Sequence, residues 1–365
     1  MRIPGLKIFD RYVLGQFLPA LVFALLSFVA LFLALEFIDK LSRFLDHGAS
    51  AWAITRYFLW RAPYILVMVM PIAVLFATFL TLGQMARFRE LVAIATAGES
   101  LARVAVPVLF VAAGCSLVSF GLGELVVPGA NAERDRILEQ EIDKVPPPPK
   151  DERTDVTVRG QGGLVYVVRL YFVPQRRMHD ISIYRYQYGR LTRRIDARLG
   201  EWDGGAWVLR QGFDRTFGTA DSLERARPFD RLRFTSFEGP EDFGSPPDDP
   251  DELGYFDLRR YLMRAQARGA EVGPFKTKLH VKLAFPLANF IVAVIGCALA
   301  MELRTPTPAL SFGLSVSIAF AYFGVLRFFQ ILGEGAILPP WFAGWAPALL
   351  FGAWAAALFY RLQRR

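Results

Sequence analysis

The stretch FLPALVFALLSFVALFLAL, residues 17–35, is nineteen residues long and contains no charged side chain. An α-helix rises about 1.5 Å per residue and the hydrocarbon of a bilayer is about 30 Å thick, so about 20 such residues cross it. Five further stretches are equally apolar, at residues 62–82, 104–123, 283–301, 309–326 and 341–360. Six runs of this length predict an α-helical membrane protein with six transmembrane helices.

The first run is expected to remain in the protein as a transmembrane span. It is longer than the core of a usual signal peptide, and no small-residue cleavage motif closes it. The charged sequence EFIDK, residues 36–40, follows directly instead.

The composition of the 365 residues excludes several classes of protein. Hydrophobic residues make up 53%, charged residues 21%, and the mean hydropathy is +0.31, which is unlike a disordered chain. The two cysteines, Cys115 and Cys297, both lie in apolar runs, so neither a disulfide framework nor a metal site is expected. No cofactor is predicted.

In a soluble protein a net charge of +8 would suggest a nucleic-acid partner. In a membrane protein it usually reflects Lys and Arg in cytoplasmic loops or contacts with anionic lipid. Lys and Arg occur in both tails and in the second-to-third and fourth-to-fifth connections, so both termini are predicted to be cytoplasmic. The first connection is an exception, because Lys40, Arg43 and Arg56 fall on the outer side. Either the positive-inside rule, by which Lys and Arg concentrate in cytoplasmic loops, is broken locally or these cations have a function on the outer side.

The segment between the third and fourth spans has a β-like pattern. Proline-rich sequences flank it at residues 146–149 and 246–250, and LVYVVRLYFV at 164–173 is rich in β-branched and aromatic residues. EWDGGAWVL at 201–209 predicts a hairpin. We therefore expect an antiparallel sandwich or open barrel outside the cytoplasm, followed by a connector helix that ends at Gly269.

The predicted organisation has three parts. Residues 1–145 carry the first three spans with a short cytoplasmic helix near 84–98, residues 146–255 form the β domain, and residues 256–365 carry the connector helix and the last three spans.

The sequence gives little reason to expect catalysis. There is no G-x-x-x-x-G-K-[ST] phosphate-binding loop and no G-x-S-x-G nucleophile motif. The three histidines, His47, His179 and His280, form no metal or triad spacing.

Two groups of charged residues lie at predicted membrane boundaries. Glu36, Asp39, Lys40 and Arg43 close the first span, where they form either an ordinary interfacial cluster or a site for a charged amphiphile whose phosphate pairs with the cations. Arg327, late in the fifth span, either reaches the nearby interface or faces protein and water for a functional reason.

The sequence RFRELVAIATAG, residues 87–98, predicts a short amphipathic helix ended by Gly98. Such a helix either lies on the bilayer surface or docks a cytoplasmic partner. Composition alone leaves both alternatives open.

Seven stretches together resemble the LptF/LptG family of permeases, the membrane subunits of the ABC exporter of lipopolysaccharide, with LptG-like detail in the first span and the β segment. They are FDRYVLGQFL (9–18), EFIDKL (36–41), RFRELVAIATAGESLARVAVPVL (87–109), ELVVPGANAERDR (124–136), ISIYRYQYGRLTRRIDARLGEWDGGAWVL (181–209), LHVKLAFPLANFIVAVIGCALA (279–300) and GAILPPWFAGWAPALLF (335–351). The resemblance covers nearly the whole chain in order.

This resemblance implies a fold and a set of partners. The fold is six transmembrane helices in the inner membrane with an inserted periplasmic antiparallel β-jellyroll domain. The implied partners are a second LptF/LptG-type permease subunit, an LptB-type ATPase dimer, an LptC-type jellyroll protein and lipopolysaccharide, with no nucleic acid. ATP hydrolysis would then belong to the separate ATPase, which accounts for the missing phosphate-binding loop.

The resemblance also implies roles for particular residues. The 87–98 stretch corresponds to the coupling helix, with Glu90 as its acidic residue facing the ATPase; the candidate residues are Arg87, Arg89, Glu90, Leu91, Ala97 and Gly98. At the end of the first span, Arg43 occupies a basic position of the family pattern, Lys40 is displaced by one step, and Glu36 stands where LptG-type chains can carry a lysine.

The resulting hypothesis is lateral entry of lipid into a cavity lined by the first and fifth spans, with Arg43, Lys40 and Arg327 holding phosphates beside Glu36 and Asp39. Two other functions stay open. A secondary transporter would need ionisable residues at mid-span, which these spans lack. A membrane-anchored scaffold with a periplasmic binding module would make no such lipid contacts.

Overall fold

The computed structural model describes residues 8–96, 98–145, 151–187, 190–218, 223–235, 238–244, 253–267, 272–302 and 307–363. The chain divides into two compact units. The membrane unit takes in the residues up to Lys144, Asp251–Phe256 and the residues from Gly273 onward, and the β unit takes in Val145–Pro250 and Asp257–Val272. Most of the predicted connector helix therefore groups with the β unit. The prediction from sequence assigned this helix to the same part of the chain as the last three spans.

The membrane unit is helical. Its helices are α1 (Ile8–Asp46), α2 (Ala51–Arg87), α3 (Glu90–Thr96), α4 (Leu101–Leu125), α5 (Val127–Arg136), α8 (Gly273–Ala284), α9 (Ala288–Glu302), α10 (Pro308–Glu334) and α11 (Pro340–Gln363). Helices α6 (Pro240–Gly244) and α7 (Tyr255–Ala267) lie between α5 and α8 in the chain. A π-helical turn, Ile137–Ile142, follows α5. Six helical segments of the described chain are long and apolar enough to cross a membrane, as predicted.

Side-chain caps mark where three of these helices begin. Ser50, Ser100 and Thr307 accept hydrogen bonds from the backbone N–H three residues later, at 3.2, 3.3 and 3.2 Å. Such caps satisfy N–H groups that the first helical turn leaves without a partner.

The fourth span consists of two helices, α8 and α9, joined by the 3-10 turn Phe285–Leu287. Pro286 lies in this turn and lacks the N–H that a continuous helix would use. The Asn289 side chain donates a hydrogen bond to the Pro286 carbonyl at 3.0 Å, which satisfies an acceptor at the break.

Helix α2 is the centre of the membrane unit. In its apolar window 78% of residues are buried, against 17% in α1, whose exposed side chains suit a lipid environment. Gly296 of α9 faces α2 so closely that a Cβ there would lie 2.8 Å from Leu75 Cδ1. A small residue at this position allows the two helices to pack together.

The β unit is an open antiparallel sheet of six strands paired in chain order. The strands are β1 (Glu152–Arg159), β2 (Leu164–Phe172), β3 (Arg177–Gln187), β4 (Arg190–Asp203), β5 (Ala206–Phe217) and β6 (Leu223–Phe234). The fold class predicted from sequence is confirmed: a helical membrane protein with an inserted antiparallel β domain. The described strands form a meander, and non-consecutive strands do not pair among them.

A crease crosses all six strands. Across this crease each ladder keeps its register but lacks one pair, along a line of exposed residues: Asp155, Arg169, Asp180, Arg198, Gln211 and Asp230. Asp155, Asp180 and Gln211 have φ of 54°, 52° and 53°, a backbone conformation that reverses the alternation of side chains. Core residues therefore lie three positions apart across the crease, as in Val168 and Tyr171.

The concave side of the creased sheet holds the core of the β unit. Trp207, Tyr166 and Tyr171 are fully buried there, and the short helix α6 (Pro240–Gly244) contributes Phe243. The Trp207 indole donates to the Glu238 carbonyl at 3.0 Å, and the Tyr171 hydroxyl donates to the Pro240 carbonyl at 3.0 Å.

Two local predictions in this region are confirmed. Asp203 ends β4 and Ala206 begins β5, with φ of 54° and 100° at the two glycines between them, as expected of the hairpin. The connector is helix α7, Tyr255–Ala267. Gly269, its predicted end, lies outside the described residues.

Candidate functional site

An apolar cavity of about 510 Å³ lies in the membrane unit between α1, α2, α4, α8 and α10. Most of its wall is aromatic or aliphatic, including Phe32, Tyr64, Phe120, Phe320, Phe323 and Leu326. Its polar lining residues include Ser119, Glu124, Lys282, Arg327 and Gln330. The structure thus places the predicted residue Arg327 on a large apolar cavity, and Arg327 has no ion pair with another described residue.

Glu124, near the end of α4, has a defined contact. Its carboxylate accepts hydrogen bonds from the backbone N–H groups of Tyr255 and Phe256, the latter at 3.1 Å. These are the first residues of α7, so Glu124 caps that helix. Its negative charge also interacts favourably with the partial positive charge at the helix N-terminus.

A second, polar cavity of about 540 Å³ adjoins the apolar one, and the two share Phe32, Tyr64 and Met68. Its charged lining consists of three carboxylates and three cations: Glu36, Asp39, Asp135, Lys40, Arg61 and Arg134. An apolar cavity joined to a charged one matches the two chemical parts of an amphiphile.

Glu36 organises this polar cavity. Its carboxylate accepts hydrogen bonds from the Tyr57 hydroxyl and the Arg61 guanidinium, both at 2.9 Å. The Arg61 guanidinium carbon lies 4.5 Å from the centre of the Tyr64 ring, a cation–π distance. Glu36 is therefore a positioning residue for Arg61.

Lys40 and Asp39 have fewer contacts. The Lys40 ammonium lies 5.2 Å from the centre of the Tyr57 ring, and no carboxylate of a described residue lies within the 4.0 Å of an ion pair. Asp39 is exposed at the rim of the cavity. Lys40 is thus the lining cation most available to an anionic ligand.

Sequence reasoning missed Arg61 and Arg134, which also line this cavity. The signal for Arg61 was its position immediately before the second apolar run, at the same boundary as the Glu36 cluster. Arg134 had no such signal in the sequence. It lies in α5, which begins one residue after the third span, and the packing of α5 brings it to the cavity.

Arg43 lies away from both cavities. Its guanidinium donates two hydrogen bonds to Asp143, at 3.0 and 2.5 Å. Arg56 pairs in the same way with Glu133 and Glu141, at 3.0 and 2.9 Å. Arg136 also pairs with Glu133, at 2.6 Å.

We call these six residues the paired cluster: Arg43, Arg56, Glu133, Arg136, Glu141 and Asp143. The hydrogen bond from Arg43 holds the pKa of Asp143 below its ordinary value, and that from Arg136 does the same for Glu133. Two of the three unexpected cations of the first connection, Arg43 and Arg56, are therefore neutralised by acids of α5, the π-helical turn and its C-cap Asp143.

The 87–98 stretch is divided between two helices and a turn. Arg87 ends α2, Arg89 has a φ of 58° in the turn, and α3 runs over Glu90–Thr96. The predicted single helix is thus shorter, because the left-handed conformation at Arg89 breaks it. Gly98 follows with a φ of 85°, and Ala97 lies outside the described residues.

Both faces of α3 have a defined environment. Leu91 is buried against the membrane unit, whereas Val92 is 60% exposed, as is Phe88 (69%) in the turn before α3. The Tyr12 hydroxyl of α1 lies 3.0 Å from both Glu90 carboxylate oxygens. Asp10 of α1 also forms an ion pair at 2.8 Å with Arg103 of α4, the helix that follows this stretch.

Within the described part of the chain, no group of three His, Cys, Asp or Glu side chains could hold a metal ion. The candidate site therefore consists of the two cavities and the exposed face of α3.

The family model "Lipopolysaccharide export system permease LptF/LptG" matches residues 11–361. The lipopolysaccharide export system permease protein LptG of Escherichia coli strain K12 is 20% identical over 348 residues, which cover 94% of this chain and 95% of that protein. LptG of Escherichia coli O6:H1 strain CFT073 matches to the same extent. The chain therefore belongs to the LptF/LptG permease family of the lipopolysaccharide export system, and it is a multi-pass protein of the inner membrane.

Proposed function

We propose that this chain is the transmembrane subunit of an ABC transporter that extracts lipopolysaccharide from the outer leaflet of the inner membrane and passes it to a periplasmic β-jellyroll bridge. The observation that carries this proposal is the adjoining pair of cavities, one apolar and one charged, which share Phe32, Tyr64 and Met68. The apolar walls would hold acyl chains, each buried CH₂ contributing about 0.8 kcal/mol.

The charged groups that would meet the lipid phosphates follow from the geometry of the cavities. Lys40 and Arg327 line the two cavities and have no carboxylate partner among the described residues. Arg61 lines the polar cavity but is shared with Glu36. Arg43 is engaged by Asp143, so its part is to hold α1 against the π-helical turn.

Energy would enter through α3. In this proposal both termini and α3 are cytoplasmic, and the β unit is periplasmic. An LptB-type ATPase dimer binds Phe88 in the turn before α3 and the exposed side of α3 at Glu90 and Val92. A second LptF/LptG-type subunit would complete the permease, and an LptC-type jellyroll protein would receive the lipid.

Purification of the tagged chain in a mild detergent, with mass spectrometry of what is retained, tests the proposed assembly. We expect a P-loop ATPase, a second six-span subunit and bound lipopolysaccharide. If the chain is recovered alone under conditions that preserve other ABC complexes, the scaffold and secondary-transporter alternatives replace this proposal.

Reconstitution distinguishes these alternatives further. In proteoliposomes containing the whole complex, export should require ATP and should persist when ion gradients are collapsed. Export that stops with the gradient would indicate a secondary transporter, and lipid binding that does not respond to ATP would indicate a scaffold.

A further inference from the structure

The inner face of the β unit changes from apolar to cationic as one moves away from the crease. The row of paired residues next to the crease, on the side of Val168, contains only apolar side chains or glycine: Val156, Val168, Ile181, Ala197, Gly212 and Phe229. Residues directly opposite in antiparallel strands share a face of the sheet. This row therefore lies on the concave side, as the burial of Val168 and Ile181 also shows.

Two and four residues further along the strands, the same face becomes charged toward the edge strand β6. The next inner row contains Asp214 paired with Arg227. The row after that runs from Leu164 through Arg185, Arg193 and Thr216 to Arg225. These rows bring four arginines and one aspartate to one corner of the inner face.

Most of this positive charge is not neutralised. Asp214 accepts two hydrogen bonds from Arg193, at 2.8 and 2.6 Å. Arg185, Arg225 and Arg227 have no ion pair with any described residue. We call these three residues the arginine row. Arg185 is also the direct cross-strand partner of Arg193, whose charge Asp214 already neutralises.

The outer face of the same strands is different. Asp196 pairs with both Arg194 and Arg215, and Glu201 pairs with Arg177 and Arg210. Arg231 and Arg233 of β6 also have no ion pair within the described part of the chain, but they lie on the outer face beyond the crease. What sets the arginine row apart is its continuity with an apolar inner surface.

We infer that the arginine row binds the phosphate groups of the lipid that reaches the β unit. Arginine binds phosphate through two parallel charge-assisted hydrogen bonds, which suits it to a phosphorylated glycolipid better than to a neutral one. This inference rests on the proposed function, because it takes lipopolysaccharide as the cargo. It adds a phosphate site on the β unit, in residues 185–227, that is separate from the cavities of the membrane unit.

A photoreactive amino acid at Thr216, which lies between Arg193 and Arg225 in the same row, tests the inference in the full complex. With ATP and lipopolysaccharide in proteoliposomes, Thr216 should crosslink the lipid. The triple variant Arg185→Gln/Arg225→Gln/Arg227→Gln should lower the crosslinked fraction at least about tenfold, because each lost charge-assisted hydrogen bond corresponds to about a tenfold change. The matched control Arg198→Gln/Arg231→Gln/Arg233→Gln removes the same charge from exposed residues outside the inner row and should leave the fraction unchanged.

A second measurement does not depend on the folding of a variant. Enzymatically dephosphorylated lipopolysaccharide, given to the complex with an intact arginine row, should crosslink at Thr216 as weakly as the intact lipid does with the triple variant. Equal crosslinking of the two lipids overturns the inference, as does full crosslinking in the triple variant.

A photoreactive group at Phe32, in the wall shared by both cavities, separates the inference from the proposed function. Crosslinking at Phe32 without phosphate-dependent crosslinking at Thr216 overturns the arginine row alone. Absence of ATP-dependent crosslinking at both positions overturns the proposed function.

Discussion

The paired cluster of the membrane unit and the arginine row of the β unit contain the same number of arginines but differ in how those arginines are partnered. In the paired cluster, Arg43, Arg56 and Arg136 all contact carboxylates of α5 or the π-helical turn within 3.0 Å. In the arginine row no carboxylate pairs with Arg185, Arg225 or Arg227 among the described residues. A concentration of arginine is therefore not by itself a sign of ligand binding.

The comparison separates two uses of charge. Ion pairs within the chain hold elements together, and their loss should reduce stability. Cations without a partner cost little stability when removed, but they are available to an external anion. Lys40 and Arg327 belong with the second group, and Arg43 belongs with the first.

The largest expected effect concerns the carboxylate of Glu90, which belongs neither to the ion pairs nor to the unpartnered cations. Glu90 is held by the Tyr12 hydroxyl rather than by a cation, so its charge remains available to a partner. Glu90→Lys should reduce ATP-driven export at least about tenfold, since a like charge placed in an interface costs several kcal/mol. Export and ATPase rates in proteoliposomes measure this.

Tyr12→Phe is the matched control, because it removes the contact but leaves the carboxylate. It should lower export only about two- to fivefold, which corresponds to one net hydrogen bond. Normal export by the Glu90→Lys variant would remove α3 from the coupling role.

Neutralising the unpartnered cavity cations should change lipid retention rather than stability. Lys40→Gln and Arg327→Gln should each reduce the lipopolysaccharide that copurifies with the complex about three- to tenfold, because each removes a charged phosphate contact. Thermal unfolding should shift little, by an equivalent of about 0.5 kcal/mol or less. Asp39→Asn, at the rim of the same cavity, is the control and should retain the lipid.

The paired cluster should show the reverse pattern. Asp143→Asn should destabilise the complex by about 1 kcal/mol, because it weakens a charge-assisted pair whose arginine side chain is 44% exposed. Lipid retention should be unchanged. Arg43→Gln combined with Asp143→Asn should be no less stable than either single variant, and additive losses would contradict a direct interaction.

The smallest effect is a pH dependence of the same pair. Because Arg43 lowers the pKa of Asp143 in the folded protein, the pair stabilises fully above the unfolded Asp pKa of about 3.9. This contribution is lost as the pH falls through the lower folded value. The stability difference between the natural chain and Arg43→Gln should be constant from about pH 5 to 7 and should shrink below about pH 4. A difference that grows on acidification would contradict this assignment.

Much of the membrane unit could be predicted because a span leaves a strong local signal. Charge-free runs of bilayer length gave six spans, and the Asp203-Gly204-Gly205 turn gave the β4–β5 hairpin. The crease also leaves a signal in the spacing of core residues along the strands. In each of β2 to β6, two residues instead of one separate the core positions on the two sides of the crease. In β2, for example, Arg169 and Leu170 separate Val168 from Tyr171.

The candidate sites could be predicted only in part, since partners distant in sequence decide them. Sequence brought Glu36, Lys40 and Arg43 together at one boundary, but packing divides them. Arg43 turns to Asp143, a hundred residues later, while Glu36 and Lys40 line the polar cavity with Arg61.

The sequence by itself determined the six spans, the inserted β segment and the family, because these depend on local hydrophobicity and on motifs read along the chain. The tertiary structure decided which charges are neutralised and which stay available. Charge pairing acts over a few ångströms in space, and only the folded packing of α5 against α1 and α2, or of β3 to β6 in register, sets those distances.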